Sequence, residues 1–307
     1  MNKLTHPNFI IGGSAASGTS FLSSILAQHP EVYLPQKMRP EPHYFYKSWE
    51  YQKGISYYLS QWFNNIPRDI IAAGEKSSSY LFGGEKVAKR IFDAYPDMKF
   101  VFILRNPIER TWANYRYTVL QGLEDLSFED ALKDEPKRIL EQRGIWAEIQ
   151  PYNYTGRGFY ASQIKDYLKF FPEDNILLIK FEAFVSQTNA ELQKLCKFLN
   201  LTIFDFDYAI PPNYTNFSII DPRIQKKLRQ YFGNRFDKVI EAIRRKEPLE
   251  KFADSYESER MLKLLVNNIK DNKEPIPIAA RSYLNDLFAR DIAQLKHFVD
   301  FDLSDWK

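Results

Sequence analysis

The sequence has almost no cysteine and no long apolar run. Its one cysteine among 307 residues, Cys196, excludes an intramolecular disulfide and a cysteine-built metal site. This thiol lies in an apolar helical pattern, which indicates a buried side chain and is compatible with a reducing compartment. No segment approaches the roughly eighteen apolar residues of a membrane span, and residues 1–6 lack the apolar centre of a signal peptide. We therefore expect a soluble, cytoplasmic protein without a membrane span.

The chain also lacks a large excess of charge of one sign. Its 42 basic residues are nearly balanced by 39 acidic ones, which leaves a net charge of +3 at pH 7. Because the basic residues are spread along the chain, we expect no nucleic-acid surface and at most a local basic patch around a small anion. The hydrophobic fraction of 44% is normal for a globular protein with a sizeable core.

One glycine-bracketed loop is the most informative segment that is present. It runs from Gly13 to Ser20, follows an apolar run at 9–11 and precedes a helical pattern that begins at Phe21. Glycines let the backbone approach an oxyanion, hydroxyls donate to it, and the first N–H groups of a helix point toward it. The loop therefore predicts a phosphate site, with an ordinary turn between a strand and a helix as the alternative.

This loop departs from the nucleotide-triphosphatase pattern at one position. That pattern has Lys directly after its second glycine, whereas Thr19 follows Gly18 here. The missing Lys would grip the β- and γ-phosphates. The sequence thus disfavours an ATPase or GTPase, and a nucleotide kinase is kept only as a distant alternative.

The strand and helix patterns predict an α/β protein with a central parallel sheet. Apolar or β-branched runs typical of buried strands lie at 8–12, 32–34, 69–73, 99–104 and 175–181, with helical periodicity between most of them. From about residue 221 the pattern becomes helical, followed by a polar connection over 246–277 and a last helix over 279–299. We expect one domain over 1–307, with an α/β nucleotide-binding core at 1–220 and a helical C-terminal cover at 221–307.

Four further segments carry a resemblance to a known family. They read Pro-Glu-Pro-His-Tyr-Phe at 40–45, Gly-Glu-Lys-Ser at 74–77, Leu-Arg-Asn-Pro at 104–107 and Gly-Arg-Gly-Phe-Tyr at 156–160. Together with the loop they resemble the sulfotransferases that use 3′-phosphoadenosine 5′-phosphosulfate (PAPS), in their bacterial and glycan-modifying branch. The resemblance extends over nearly the whole chain. It implies a P-loop-like three-layer fold, PAPS as the sulfuryl donor and 3′-phosphoadenosine 5′-phosphate (PAP) as the product.

The resemblance also implies a set of cofactor-binding residues. Arg105 matches the arginine that holds the 3′-phosphate, a task that suits a rigid guanidinium fork. Ala113 stands where the family usually has Ser, and Tyr160 matches a position that contacts the nucleotide, with packing at a helix start as its alternative. Phe21 would stack on the adenine, or else belong to the core of the first helix. The 5′-phosphosulfate would be held by Ala15, Ala16, Ser17, Gly18, Thr19 and Ser20.

Glu75 is the catalytic base that the resemblance implies. In the glycan sulfotransferases a Glu beside a Lys, here Lys76, removes the proton from the acceptor hydroxyl or amine. A solvated ion pair is the alternative for these two residues. His43 is a second candidate base, or else a structural histidine beside Tyr44 and Phe45. The in-line transfer relies on positioning, cations and amides, and it requires no metal.

Two departures from the family bear directly on activity, at Ala16 and at Ala113. Ala16 replaces the family's Lys or Arg that neutralises the leaving group, and Pro40 removes another cation. Another cation must then supply the charge, and the candidates are Lys76, Lys37, Arg39 and Arg157. Three readings stay open: an active enzyme with a relocated cation, a disabled variant, and a nucleotide-binding relative without catalysis.

The predicted reaction is sulfuryl transfer to a hydroxyl or amine of a carbohydrate or a similar polar acceptor. A dense aromatic segment follows His43 and could stack on a sugar or pack beneath a lid: Tyr44, Phe45, Tyr46, Trp49, Tyr57 and Tyr58. A small-molecule natural product is the alternative acceptor.

Overall fold

The computed structural model describes residues 4–35, 41–208, 217–272 and 274–306. Contacts divide the chain into two compact units. The first comprises residues 1–110, 155–210 and 284–307, and the second comprises 111–154 and 211–283. The organisation as one domain with a boundary at residue 221 stays a prediction, since this division groups 284–307 with the N-terminal residues and 111–154 with 211–283.

The first unit is built on a five-stranded parallel sheet. Its strands are β1 (Phe9–Gly13), β2 (Val32–Tyr33), β3 (Ala72–Lys76), β4 (Lys99–Leu104) and β5 (Ile176–Lys180). They are arranged in the order β2-β3-β1-β4-β5, and every neighbouring pair is parallel. The predicted α/β class and the five predicted strands are confirmed.

Strand β3 ends later than the sequence indicated, and this shift matters for the site. The apolar run at 69–73 predicted that Glu75 follows the strand, but Glu75 and Lys76 are its last two residues. They pair in register with Ile10 and Ile11 of β1. The backbone of both residues therefore lies beside the end of β1, and their side chains point to opposite faces of the sheet.

Alternate residues of the central strands face two separate apolar cores. In β4, Phe100 and Phe102 belong to one core, whereas Val101 and Ile103 belong to the other. Because neighbouring strand residues point to opposite faces, a sheet with nearly continuous apolar strands must be covered on both sides. Helices provide that cover and give the first unit three layers.

The chain forms fourteen helices within its described residues. In chain order they are α1 (Thr19–Leu26), α2 (Ser48–Tyr51), α3 (Ile55–Trp62), α4 (Gly84–Ala94), α5 (Pro107–Leu120), α6 (Phe128–Glu141), α7 (Ile145–Ile149), α8 (Tyr160–Leu168), α9 (Phe181–Ser186), α10 (Thr188–Phe198), α11 (Pro222–Phe232), α12 (Phe236–Arg244), α13 (Tyr256–Asn267) and α14 (Ile278–Leu295). In the part of the chain that the structure describes, no helix is long and apolar enough to span a membrane.

The second unit is mainly helical, with one short antiparallel ribbon of β6 (Phe217–Ile219) and β7 (Ile269–Asp271). The predicted apolar face of α11 and α12 is confirmed, because Leu228, Phe232 and Phe236 lie in its core. The predicted polar connection over 246–277 is wrong, since this stretch contains α13 and β7. Leu262 and Leu265 of α13 join the same core, and burial of that apolar face stabilises the helix despite its many charges.

Candidate active site

The loop between β1 and α1 has the backbone geometry of an anion site. Gly18 directly precedes the helix and has a φ of 81°. A Cβ at this position would lie 3.0 Å from the Phe181 ring, so glycine is required by both backbone and space. No described residue accepts a hydrogen bond from the main-chain N–H groups of residues 15–20. The loop thus presents a row of N–H donors ahead of the N-terminus of α1.

Two serines and a tyrosine brace this loop from behind. The Oγ atom of Ser14 lies 2.6 Å from Oγ of Ser17 and 3.3 Å from the hydroxyl of Tyr160. The Tyr160 ring is fully buried, and its hydroxyl donates to the main-chain oxygen of Arg105 at 2.9 Å. Ser17 and Tyr160 therefore support the loop with buried hydroxyls, and their predicted contacts with the nucleotide stay predictions.

Arg105 closes onto the loop from the carboxyl end of β4. Its Nη1 donates to the main-chain oxygen of Ala16 at 2.9 Å, and its guanidinium lies 4.9 Å from the centre of the Phe181 ring. Within the described ranges the guanidinium has this one acceptor, so its other N–H donors could serve a phosphate. The contact brings the predicted 3′-phosphate residue and the predicted 5′-phosphosulfate loop together.

The other predicted cofactor residues lie in different surroundings. Ala15 is half-buried and Ala16 is exposed at the tip of the loop, whereas Thr19 is buried and Ser20 is half-buried at the start of α1. Ala16 has a φ of 66°, in the left-handed region.

Phe21 and Ala113 pack within helical surroundings. The Phe21 ring lies 5.5 Å from that of Phe184, so it contacts a neighbouring helix, α9. Ala113 is buried on α5 in the second unit. A nucleotide contact by either residue stays a prediction.

Glu75 is enclosed by hydroxyl donors. Tyr58 and Tyr80 each donate to its Oε1 at 2.8 Å, and Ser77 donates to its Oε2 at 2.7 Å. The side chain has 0% exposure, and this burial raises its pKa to about 7 against the opposing effect of the three hydroxyls. Such a pKa would suit a general base, and the catalytic role of Glu75 stays a prediction.

Glu75 also organises the segment that precedes it in the chain. The Ser77 hydroxyl that donates to Glu75 also accepts the main-chain N–H of His43 at 2.8 Å. The Tyr80 hydroxyl accepts the main-chain N–H of Phe45 at 3.2 Å. The buried carboxylate thereby fixes the backbone around His43, which has a φ of 47°.

Lys76 joins the loop to a second carboxylate, Glu41. Its ammonium group donates to Oγ of Ser20 at 3.0 Å and to Oε1 of Glu41 at 2.7 Å. The Lys76 side chain is 2% exposed, whereas that of Glu41 is 17% exposed. The other oxygen of Glu41 accepts the main-chain N–H and the hydroxyl of Ser78 at 2.8 and 2.9 Å.

His43 lies against the same carboxylate. Its Nε2 is 3.2 Å from Oε2 of Glu41, and its Nδ1 is 2.6 Å from Oγ of Ser79. Burial would raise the pKa of Glu41, but the electrostatic interactions with His43 and Lys76 and the hydrogen bonds from Lys76 and Ser78 lower it overall. Glu41 is therefore an ionised, partly exposed carboxylate at neutral pH.

Further basic side chains act on this group. The charges of Lys47 and Arg157 both lower the pKa of His43. Arg157 is buried, with its guanidinium 4.3 Å from the centre of the Phe82 ring. Of the predicted replacement cations, Lys76 and Arg157 thus lie in the site, whereas Lys37 and Arg39 lie outside the described residues, as does Pro40.

The aromatic segment after His43 is mostly core. Tyr44, Phe45, Tyr46 and Tyr58 are buried, and the rings of Tyr44 and Tyr58 stack 4.6 Å apart. These four rings therefore cannot stack on an acceptor. The remaining two, Trp49 and Tyr57, are half-buried.

Comparison with known families identifies the family of the chain. Residues 6–213, more than half of the chain, match the family of the sulfotransferase domain. The chain belongs to the sulfotransferase family. PAPS is the donor of this family. The residues present fit that donor, because the N–H row of the loop suits a phosphosulfate and the available N–H groups of Arg105 suit a second phosphate.

This sulfotransferase is similar to several curated enzymes. It is 27% identical over 195 residues to human heparan sulfate glucosamine 3-O-sulfotransferase 6. The aligned segment covers 64% of this chain and 52% of that protein. It is 29% identical over 196 residues to mouse heparan sulfate glucosamine 3-O-sulfotransferase 3B1. The aligned segment covers 64% of this chain and 46% of that protein. The chain thus spans about half the length of these relatives.

The fold of this sulfotransferase is also similar to that of a solved structure. A sulfotransferase from Alicyclobacillus acidocaldarius superposes with a TM-score of 0.68 at 25% identity, covering 99% of both chains. The predicted family and fold are therefore confirmed.

Two residues of the site were missed in the sequence. Glu41 stands two positions before His43 in the quoted segment at 40–45, and this Glu-x-His spacing could have indicated it. Ser79 gave no signal, because serine is common after a strand. Its contact with His43 arises only from the return of the chain after β3.

Proposed function

We propose that this sulfotransferase transfers the sulfuryl group of PAPS to a hydroxyl or amine of a carbohydrate. The observation that carries the proposal is the position of Lys76, whose ammonium bonds both Ser20 of the anion loop and Glu41. A single cation thereby lies between a donor site and a carboxylate base. In the reaction the acceptor oxygen or nitrogen attacks sulfur, the bond from sulfur to the 5′-phosphate oxygen breaks, and PAP leaves.

In this proposal Lys76 supplies the charge that Ala16 lacks. Its ammonium is almost fully buried, where water screens it little. By comparison with oxyanion donors, a preorganised group of this kind contributes about 100- to 1000-fold in rate. Lys76 is preferred to Arg157 because its ammonium bonds Ser20 of the loop directly, whereas the Arg157 guanidinium lies 4.3 Å from the centre of the Phe82 ring.

Glu41 is the base in this proposal, in place of Glu75. It is ionised, partly exposed and bonded to the cation that faces the donor loop. Glu75 has the same functional group, but its enclosure by three hydroxyls favours a supporting role. The proton of the acceptor would pass to Glu41 as the new bond to sulfur forms.

The carbohydrate acceptor rests on the curated relatives, whose names describe sulfation of a glucosamine in heparan sulfate. A panel of acceptors, comprising a glucosamine-containing glycan, a neutral glycan and a phenolic small molecule, tests the class. The predicted cytoplasmic location rests on the single cysteine and is tested by fractionation of expressing cells.

Replacing Glu41 by Gln tests the assignment of the base. Glu41→Gln keeps the shape and removes the proton acceptor, so sulfuryl transfer should fall about 100-fold or more while PAP affinity changes little. Transfer of labelled sulfate measures the first quantity and calorimetric titration the second. Glu259→Gln is the matched control, since Glu259 pairs with Lys263 at 2.7 Å on an exposed helix surface and its replacement should leave transfer unchanged. Normal turnover by Glu41→Gln would exclude Glu41 as the base.

A second function is favoured by Ala16: a nucleotide-binding relative without turnover. Its methyl group lies at the exposed tip of the loop, where the family has a cation. PAP that raises the melting temperature, with no transfer to any acceptor by the natural chain or by Ala16→Lys, would support this function. ATP that stabilises the protein when PAP does not would contradict both functions.

A further inference from the structure

Ser79 lies at the end of a short chain of polar contacts that the proposed reaction does not use. Its Oγ is 2.6 Å from Nδ1 of His43, and Nε2 of the same ring is 3.2 Å from Oε2 of Glu41. Ser79 is buried, whereas the side chains of His43 and Glu41 are 19% and 17% exposed. The imidazole thus separates an inner hydroxyl from the carboxylate.

We infer that Ser79 is a positioning residue that holds His43 as the neutral Nε2–H tautomer and so keeps the Glu41 carboxylate in place. An ionised carboxylate only accepts hydrogen bonds, so the ring nitrogen that faces Glu41 must carry the proton. A neutral imidazole has one N–H, which leaves Nδ1 as an acceptor. The donor to Nδ1 is then the hydroxyl of Ser79.

The surroundings of His43 keep the ring neutral. Burial lowers the pKa of His43 to about 4; Glu41 opposes this change, and the charges of Lys47, Arg157 and Lys76 add to it. A protonated ring would donate from both nitrogens and would make Ser79 an acceptor. With three cations facing it, His43 instead acts on Glu41 as a neutral donor.

Loss of the Ser79 hydroxyl removes one of the two groups that select this tautomer, because the hydroxyl donates to Nδ1 whereas the Glu41 carboxylate accepts from Nε2. The ring can then carry its proton on Nδ1, which turns the lone pair of Nε2 toward the carboxylate 3.2 Å away. That contact is repulsive, so Glu41 would leave its position beside Lys76. Outer groups that orient metal ligands contribute about 10- to 100-fold to activity, and we expect an effect of the same size for a group that orients a base.

The tautomer can be read directly by nitrogen NMR on the full chain labelled at its four histidines. His43→Gln identifies the signals of this ring. At neutral pH we expect a protonated Nε2 and an unprotonated Nδ1 in the natural chain and in Ser79→Thr, which keeps the hydroxyl. Ser79→Ala should show Nδ1–H or exchange between the two tautomers. An imidazolium or an Nδ1–H ring in the natural chain would overturn the inference, and so would an unchanged tautomer in Ser79→Ala.

The kinetic consequence rests on the proposed function and is measured separately. Ser79→Ala should lower kcat about 10- to 100-fold with PAP affinity within about twofold, and Ser79→Thr should restore most of the rate. The natural chain could show the expected Nε2–H tautomer, and Ser79→Ala its loss, while Glu41→Gln keeps full activity. That combination would show that the proposed base is wrong and that the positioning of His43 by Ser79 is right. The spectrum of the natural chain decides the tautomer even where a variant does not fold.

Discussion

Glu41 and Glu75 have the same functional group, but their carboxylates differ in exposure and in the direction of their pKa shifts. Glu41 faces a cation and two donor groups of Ser78, and its pKa is lowered, whereas Glu75 has 0% exposure and a pKa raised to about 7. The Glu-Lys pair in the sequence led to Glu75, the buried one of these two carboxylates, as the predicted base. Whether a carboxylate meets solvent depends on which side chains close over it, and here Tyr58 comes from 17 positions earlier.

The raised pKa of Glu75 predicts a pH dependence of stability. Between about pH 4.5 and 7 the folded protein keeps a proton that the unfolded chain loses, so the free energy of unfolding falls as pH rises and levels off above 7. The rise in the pKa of Glu75 from 4.5 to about 7 corresponds to a change of about 3 kcal/mol in the free energy of unfolding. Urea unfolding at pH 5 and 8 measures the difference, which should shrink in Glu75→Gln. Equal pH dependence in the two proteins would show that Glu75 does not titrate in this range.

At the scale of elements, the site is formed by strand ends and the helices that follow them. The loop after β1, Lys76 at the end of β3 and Arg105 after β4 meet because parallel strands present their carboxyl ends at one edge. The sequence predicted this edge correctly, since five apolar runs alternate with helices. It did not predict that β3 extends to Lys76, because a charged Glu-Lys pair interrupts the apolar pattern that defines a buried strand.

The helix cap next to Arg105 predicts a local effect on binding. The side chain of Asn106 accepts the main-chain N–H of Ile108 at 3.0 Å, and Asn106→Ala should cost about 1 kcal/mol of stability. Because Asn106 adjoins Arg105, the variant should also bind PAP more weakly. The affinity for 5′-AMP, which lacks the 3′-phosphate, should fall less.

Asp221→Ala is the matched control for this cap. Asp221 also precedes a proline and accepts from the main-chain N–H of Arg223 at 2.8 Å, but it caps α11 in the second unit. Urea unfolding should show that Asp221→Ala lowers the free energy of unfolding by about as much as Asn106→Ala. Calorimetric titration should show that Asp221→Ala still prefers PAP to 5′-AMP. The same loss of preference in both variants would contradict a local effect on Arg105.

At the scale of the whole molecule, residues far apart in the sequence support the anion site of the first unit. Trp306 is 2% exposed, its ring lies 6.1 Å from that of Tyr160, and its indole N–H donates to Glu182 at 3.3 Å. Glu182 also accepts the main-chain N–H of Asn106 at 3.0 Å. The last described residues of the chain thus pack behind the segment that holds Arg105.

Two tryptophans of different burial test this support. Trp306→Ala leaves a cavity in the core and should lower the free energy of unfolding by about 3–5 kcal/mol. Trp146 is 49% exposed in the second unit, so Trp146→Ala should change it by less than about 0.5 kcal/mol. Thermal and urea unfolding compare the two. Similar small losses would mean that Trp306 does not belong to the core.

The sequence by itself determined the class of fold, the anion loop and the family, because apolar period, glycine position and short motifs are local properties. It also located Arg105 and Lys76, which lie at strand ends within those motifs. Only the tertiary structure decided that Glu75 is buried, that Tyr160 braces the loop, and that Glu41, His43 and Ser79 form one polar group. Burial and hydrogen bonding depend on segments that return from elsewhere in the chain, so the environment of a side chain cannot be read from its neighbours in sequence.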